Sequence, residues 1–410
     1  MATGSVLVLT TQNQTGLAIV RSLGRRDVSV VAGGPTEPTL GMLSRFSDER
    51  FVHPDPRENH QAFIDHLLSY LDERDHEFVF GPTDSMTSLL SKHGDEIEST
   101  GTRVAAEDWD TFQEVFDKGR LFERVSSLDV PTPETAAPSG LSEVERIASD
   151  LSYPVVVKPR SKTRWDDRGQ CQTHLVDDRN YANSPSELVE TYRTLLSSTP
   201  ELHDWQPLVQ EYVPGETTTT VVLADDGEVR AHFQERRLRT VPPSGGSSAL
   251  LSAVDDPAML DYAARVIDVF DWTGPAQVEF MERPDGEYVL IEMNGRYWGS
   301  LPFAINCGVD FPWLHYRQLR GERVGHDGDY RTDVVQRRTS EDFEWLSHQF
   351  SDGNIRAMAP FLADFLRVDH TFVSLSDPLP TAWLLGQLPK VLLGELRELS
   401  RGRTPIPSRP

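Results

Sequence analysis

The sequence predicts a doubly wound α/β domain, then an α+β body, then a helical C-terminal part. Three observations carry this reading. Short apolar runs alternate with stretches of helical spacing over residues 1–105. Strand-like runs punctuated by proline and glycine breaks follow to about residue 325. Beyond that, apolar residues recur at three- and four-residue spacing.

Each element follows from its residues. Ser5 to Thr10 is a short apolar run, the pattern of a parallel strand buried on both faces. Thr15 to Leu23 has helical spacing, Val28 to Ala32 is a second strand, and Phe78 to Phe80 a third that ends at Gly81-Pro82-Thr83-Asp84. The loop after the first strand, Thr10-Thr11-Gln12-Asn13-Gln14-Thr15-Gly16, lacks GxGxxG, which argues against an NAD-dependent enzyme. Residues 106–135 read as helical up to the break Val130-Pro131-Thr132-Pro133. Leu141 to Leu151 is a helix led by Ser142-Glu143-Val144-Glu145, a capping-box-like start. Tyr153 to Pro159, Leu208 to Tyr212, Thr217 to Leu223, Gln277 to Met281 and Tyr288 to Glu292 are strands, and Asp285-Gly286 predicts a hairpin turn. Asp333 to Phe350 and Met358 to Val368 read as helices, followed by a break at Ser376-Asp377-Pro378-Leu379-Pro380. Leu385, Leu388, Leu392, Leu396 and Leu399 make one face of a last helix that Pro389 kinks and Arg397, Arg401 and Arg403 end. Packing on the main body is the ordinary role of such a helix, and a membrane-surface or partner-binding helix is the alternative.

Composition narrows the function. The 410 residues carry 40 Lys+Arg against 64 Asp+Glu, a net charge of −24, which disfavours a general nucleic-acid binder. Two cysteines, Cys171 and Cys307, exclude a disulfide framework or a cysteine-rich zinc site. No apolar run reaches the ~18 residues of a membrane span, and the start shows no signal-peptide pattern, so the expected location is the cytoplasm. Only Lys92, Lys118, Lys158, Lys162 and Lys390 are lysines. Acid excess with lysine scarcity suits a protein working in concentrated salt, and it marks a retained lysine as one with a task.

The densest chemistry lies in Gln277-Val278-Glu279-Phe280-Met281 and, across the hairpin, Val289-Leu290-Ile291-Glu292-Met293-Asn294-Gly295-Arg296. Strand alternation puts Gln277, Glu279 and Met281 on one face, and across the hairpin Glu292 and Asn294 also share a face, so that the two carboxylates face each other. Two carboxylates and an amide oxygen are hard donors suited to Mg²⁺ on a triphosphate, and Arg296 beside them suits a transferring phosphoryl group. Solvated acids on an edge hairpin are the structural alternative. Lys158 ends a buried-type strand and calls for an anionic partner, a phosphate or a structural carboxylate.

The ordered set Lys118, Val-Pro-Thr-Pro, Pro-Val-Val-Val-Lys158-Pro, Gln210-Glu211-Tyr212-Val213-Pro214-Gly215-Glu216, Val-Glu279-Phe and Ile-Glu292-Met-Asn294-Gly-Arg296 resembles the ATP-grasp superfamily, in its carbamoyl-phosphate-synthase-like, carboxylate–amine ligase branch. The resemblance covers about residues 5–325. It implies an N-terminal pre-ATP-grasp domain (1–105), a two-lobed ATP-grasp domain (106–327, with a lid at about 125–212) and an extension (328–410). It implies that Lys118 and Lys158 hold ATP phosphates and that Gln210 with the backbones of Glu211 and Val213 reads adenine. Glu216, with Thr217 competing for the role, would hold the ribose. Glu279, Glu292 and Asn294 would bind Mg²⁺ (or Mn²⁺), and Arg296 with Lys158 would be catalytic. His232 and Arg237 fall where relatives place groups near phosphate or substrate.

The implied reaction activates a carboxylate as an acyl phosphate, releasing ADP, for attack by an amine or another nucleophile. One departure stands out. Relatives carry a glycine-rich flap after the second lysine, where this chain has Arg160-Ser161-Lys162-Thr163-Arg164-Trp165-Asp166-Asp167-Arg168-Gly169. Side chains of Lys162 or Arg164 would replace backbone amides there. This departure motivates the rival reading, a nucleotide-binding regulatory or scaffold protein without turnover. The loop Pro242 to Ser248 and the region after Trp298 are candidates for the acceptor site, Arg320, Arg323 and Arg331 are candidate anchors for an acidic substrate, and a homodimer is the default oligomer.

Overall fold

The computed structural model describes residues 4–165, 169–174, 176–242, 246–371 and 373–386. Strands β1 (Ser5–Val8), β2 (Ser29–Gly34), β3 (Glu49–Val52), β4 (Phe78–Phe80) and β5 (Arg103–Val104) form a parallel sheet in the order β3-β2-β1-β4-β5. Val6 and Val8 of β1 face α1 (Gln14–Gly24), while Leu7 faces α2 (His60–Asp72), α3 (Asp84–Lys92) and α4 (Gly94–Glu98). Alternate side chains thus feed two apolar layers, as a doubly wound sheet requires. Asn13 caps α1 by accepting from the Gly16 amide at 2.8 Å, and Thr83 caps α3.

The expected helix over 106–135 is two helices, α5 (Trp109–Phe116) and α6 (Lys118–Val125). Asp117 separates them: its backbone leaves the helix, and its carboxylate caps α6 through the Gly119 amide at 2.7 Å. Next come β6 (Thr135–Ala136), α7 (Leu141–Ile147), β7 (Val155–Lys158), β8 (Thr163–Trp165), β9 (Cys171–Thr173), β10 (Tyr181–Ala182), α8 (Pro185–Ser198) and β11 (Leu208–Glu211). Helix α7 runs on as a 3-10 turn over Ala148–Asp150, close to the expected end, and Ser139 rather than Ser142 bonds Glu143, at 2.8 Å. Strands β10-β7-β11-β6 make a small antiparallel sheet packed on α7 and α8. Strands β8 and β9 form a separate hairpin.

The largest sheet contains β12 (Glu216–Asp225), β13 (Glu228–Val241), β14 (Ser247–Val254), β15 (Gly274–Glu282), β16 (Tyr288–Asn294), β17 (Val335–Arg337) and β18 (Asp369–His370). Its order is β16-β15-β12-β13-β14-β17-β18. Helix α9 (Pro257–Val269) covers one face together with α5 and α6, and α10 (Leu301–Cys307) and α11 (Phe311–Leu319) join this sheet to α1.

The part after residue 328 is not purely helical. Strand β17 extends the large sheet by pairing with β14, and β18 adds to β17 in parallel. Helices α12 (Thr339–Ser351) and α13 (Met358–Arg367) pack beside them. Buried Arg337 explains the strand: its guanidinium pairs with Asp342 at 2.6 Å and lies over Phe361, so Val335–Arg337 is held against β14 instead of starting a helix. Asp377, in the expected break, is buried and accepts from Arg21, Ser44 and the Arg45 amide. Residues 378–386 then form a helical segment containing Leu385, while Leu388, Leu392, Leu396, Leu399, Pro389 and the terminal arginines lie outside the described residues. No helix among the described residues is long and apolar enough to cross a membrane.

Candidate functional site

Strands β15 and β16 pair Glu279 with Glu292 and Gln277 with Asn294. A bulge follows, since Phe280 pairs with Leu290 and leaves Ile291 as the extra residue. The bulge resets the alternation. Leu290, Val278, Phe280 and Met293 enter one core, while Glu292 turns to the face of Glu279. Asn294 Nδ2 bridges the two acids, at 3.0 Å from Glu292 Oε1 and 3.4 Å from Glu279 Oε1.

Three lysines gather around this pair, one from α6 beside the large sheet and two from the segment of β7 and β8. Lys118, the first residue of α6, places Nζ 3.2 Å from Glu292 Oε2. Lys162, just before β8, places Nζ 2.5 Å from Glu292 Oε1. Lys158, at the end of β7, donates to Gln210 Oε1 at 2.6 Å. Burial pushes the Glu292 carboxyl up, and the two ammonium groups override it, holding it well below the ordinary carboxylate range. Burial, aided by Lys118 and Lys162, lowers Lys158 to about 8 against the pull of Glu292.

Arg296 is fixed on four sides. Nε donates to Asp84 Oδ1 at 2.8 Å, Nη1 to Gln277 Oε1 at 3.2 Å and to the Tyr297 carbonyl at 2.9 Å, and Nη2 to Asn294 Oδ1 at 3.3 Å. Arg237 of β13 pairs with Glu279 Oε2 at 2.6 Å.

A cleft of about 980 Å³ runs between the lobes, and Lys118, Lys158, Lys162, Glu211, Val213, Glu216, Glu279, Glu292 and Arg296 all line it. Thr217 lines it beside Glu216. Asn294 stands behind the acids. Gln210 does not face the cleft: it is buried, accepting from Lys158 and donating to Thr135 Oγ1 at 2.9 Å, so it orients a lysine instead of reading a base. The Glu211 and Tyr212 amides are taken by Glu134 and Pro154 carbonyls, whereas the Val213 amide makes no hydrogen bond among the described residues.

Other expectations are corrected. Lys162 points into the cleft, but Arg164 points out, donating to the Glu201 carbonyl at 3.0 Å and lying over Trp205. Asp166, Asp167 and Arg168 of the flap lie outside the described residues. His232 packs against Tyr330, away from the cleft. Arg320 bonds the Tyr316 hydroxyl and Arg331 pairs with Asp333, neither lining it. Pro242, Gly246, Ser247 and Ser248 do line it, while residues 243–245 lie outside the described residues. Sequence reasoning placed Ser300 only within the region after Trp298 and Asp84 only at the end of a strand, and it missed Thr135, Glu235, Arg338, Trp345 and His348. Asp84 carried a faint signal as the end of the Gly81-Pro82-Thr83-Asp84 turn that follows a buried strand. Thr135 lies just after the Val-Pro-Thr-Pro break, while Glu235, Arg338, Trp345 and His348 lie far from the motifs that carry the site, and folding brings them in.

The donor set fits a magnesium ion. Glu279 and Glu292 converge and Glu292 is held ionised, while Asn294 turns its Nδ2 to the acids and its Oδ1 to Arg296, so it would offer an oxygen to the ion only with its amide turned over. Among the described residues no cluster of three or more His, Cys, Asp or Glu forms a cation cage. Two carboxylates without a cage suit an ion that shares its shell with nucleotide phosphates.

The architecture is a mixed α/β fold matching ATP-grasp structures. It superposes over 82% of this chain on the biotin carboxylase domain of 2-oxoglutarate carboxylase from Hydrogenobacter thermophilus, solved with MgADP, ADP and bicarbonate (TM-score 0.64, 18% identity, 74% of that chain). It also superposes over 82% on an L-amino acid ligase from Bacillus licheniformis (TM-score 0.62, 15% identity, 79% of that chain). Residues 204–344 match the family described as ATP-grasp in the biosynthetic pathway with Ter operon. Among curated proteins, D-alanine–D-alanine ligase B of Pseudomonas putida is 24% identical over 321 residues, 73% of this chain and 85% of that protein. The carbamoyl phosphate synthase large chain of Archaeoglobus fulgidus is 24% identical over 243 residues, 56% of this chain. The match spans 21% of that larger protein.

Proposed function

We propose that this protein is an ADP-forming ligase that uses ATP to activate a carboxylate as an acyl phosphate and then couples it to an amine or another nucleophile. The carrying observation is that three lysines, two paired acids and Arg296 meet on one cleft. Adenine would lie along Glu211 to Val213, taking the Val213 amide, with Glu216 or Thr217 at the ribose. Lys118, Lys158 and Lys162 would exchange Glu292 and Gln210 for phosphate oxygens. Glu279 and Glu292, with Asn294 once its amide turns over, would hold a magnesium ion, which would supply charge neutralisation on the triphosphate.

A substrate carboxylate oxygen attacks the γ-phosphorus and the bond to ADP breaks. Arg296, already rigid, offsets the negative charge of the transferring phosphoryl group. The amine nitrogen then attacks the acyl carbon and phosphate leaves. The names of the D-alanine and L-amino acid ligase relatives support an amino acid as one substrate.

The test is ADP release from Mg-ATP with the twenty amino acids and short dicarboxylates, using hydroxylamine to trap acyl phosphate as hydroxamate. Hydroxamate from wild type, reduced about 100-fold or more in Glu292→Gln, is the expected result. Nucleotide binding without ADP release from any carboxylate would instead favour a nucleotide-binding protein that does not turn over, the reading that the glycine-poor flap supports.

A further inference from the structure

Ser300 stands at the N-cap of α10, where a serine hydroxyl ordinarily accepts from a backbone amide of the first turn. It makes no such cap. The second helical residue is Pro302, which has no N–H to give. The hydroxyl donates instead to Glu235 Oε1, at 2.6 Å. Its proton is therefore committed inward while Ser300 itself lines the cleft, four residues after Arg296. The lone pairs of Oγ are left to accept from whatever enters.

Glu235, on β13, is 1% exposed. Its other oxygen, Oε2, has no hydrogen-bond partner among the described residues. Neither has the hydroxyl of Thr219, its cross-strand neighbour on β12. A buried carboxylate left half satisfied is costly as a purely structural feature. The charged and titratable groups that act on it are Arg237 of the same strand, Glu279 of β15 and Arg338 after β17, with the Cys307 thiol of α10 also within its field.

We propose that Ser300 and Glu235 form the proton relay for the attacking amine, an inference that rests on the ligase reading above. As the amine nitrogen bonds to the acyl carbon, Ser300 Oγ accepts one N–H proton and passes its own to Glu235 Oε1. The carbon–oxygen bond to phosphate then breaks, and phosphate leaves with its electron pair. Ser300 touches the nucleophile and is the catalytic residue, and Glu235 acts through it. Burial raises the Glu235 carboxyl to about 7, which suits a group that takes up and returns a proton near neutrality.

The experiment compares two nucleophiles on the same acyl phosphate. Hydroxylamine is weakly basic, and its adduct sheds a proton to water without help. An amino acid amine needs a base. In Glu235→Gln, which retains the bond from Ser300, amine coupling at saturating amine should fall about 100-fold while hydroxamate formation stays within about a factor of three. Ser300→Ala should show the same split, and Glu235→Gln should lose the rise of wild-type coupling through pH 7. Equal losses with both nucleophiles in both variants would make the pair structural and overturn the relay. So would amine coupling near wild type with an unchanged pH profile. Wild type that forms neither product overturns the ligase reading itself, and the relay with it.

Discussion

The Arg296 guanidinium donates to Asp84 across 212 residues of chain, at 2.8 Å. Asp84 opens α3 of the N-terminal sheet domain, and Arg296 follows the last strand that carries the paired acids. The first domain thus holds the arginine on which phosphoryl transfer is proposed to depend.

Asp84→Asn should therefore lower turnover more than binding. Burial pushes the Asp84 carboxyl up, and Arg296 overrides it, holding it below the ordinary range. The pair contributes stability above the unfolded carboxylate value and loses it as pH falls through the lower folded value. Substitution should cost about 1–3 kcal/mol at pH 7 by leaving the charge of Arg296 without its counter-ion, even where an amide oxygen still accepts from Nε. Thermal midpoints at pH 7 and nucleotide titrations check both parts, and an unchanged midpoint would remove the positioning role.

Nucleotide affinity should fall above pH 8. Lys158 is lowered to about 8 from the 10.5 of a free lysine, chiefly by burial. Between those values the folded chain binds fewer protons than the unfolded one, so the empty protein gains stability from this group as pH rises. A bound phosphate favours the charged lysine, so ATP binding should take up a proton in that window. Calorimetric titration in two buffers of different ionisation heat measures the uptake, and Lys158→Arg should abolish it.

Gly295→Ala should destabilise the protein and impair nucleotide turnover together. A Cβ at Gly295 would meet Cη2 of Trp272 at 2.3 Å, and that ring is 1% exposed. Overpacking of this kind costs about 1–3 kcal/mol. Asn294 and Arg296 flank the glycine, so any backbone shift displaces both. Denaturant midpoints and ADP release read the two effects.

Salt should stabilise the chain. A net charge of −24 repels itself over a screening length of about 10 Å at 0.1 M salt and about 3 Å at 1 M. The thermal midpoint should climb from 0.1 to 2 M KCl. A flat or falling midpoint would dispose of the saline reading of the scarce lysines.

The sequence determined a good deal by itself. Strand and helix periods are local, so β1, α1, β7, β12, β15 and β16 were legible from short windows. Lys118, Lys158, Glu279, Glu292 and Arg296 were legible because each lies in a short motif, and the order of motifs survives in a linear chain. Only tertiary structure decided what touches what. The bulge at Ile291, invisible to simple alternation, sets which face Glu292 takes. The burial of Gln210 between Lys158 and Thr135 moved it from base reader to lysine support. The pairing of Asp84 with Arg296, the pairing of Ser300 with Glu235, and the C-terminal strands β17 and β18 came from contacts between residues far apart in sequence. Such contacts form when separate apolar faces pack, and no local period encodes that.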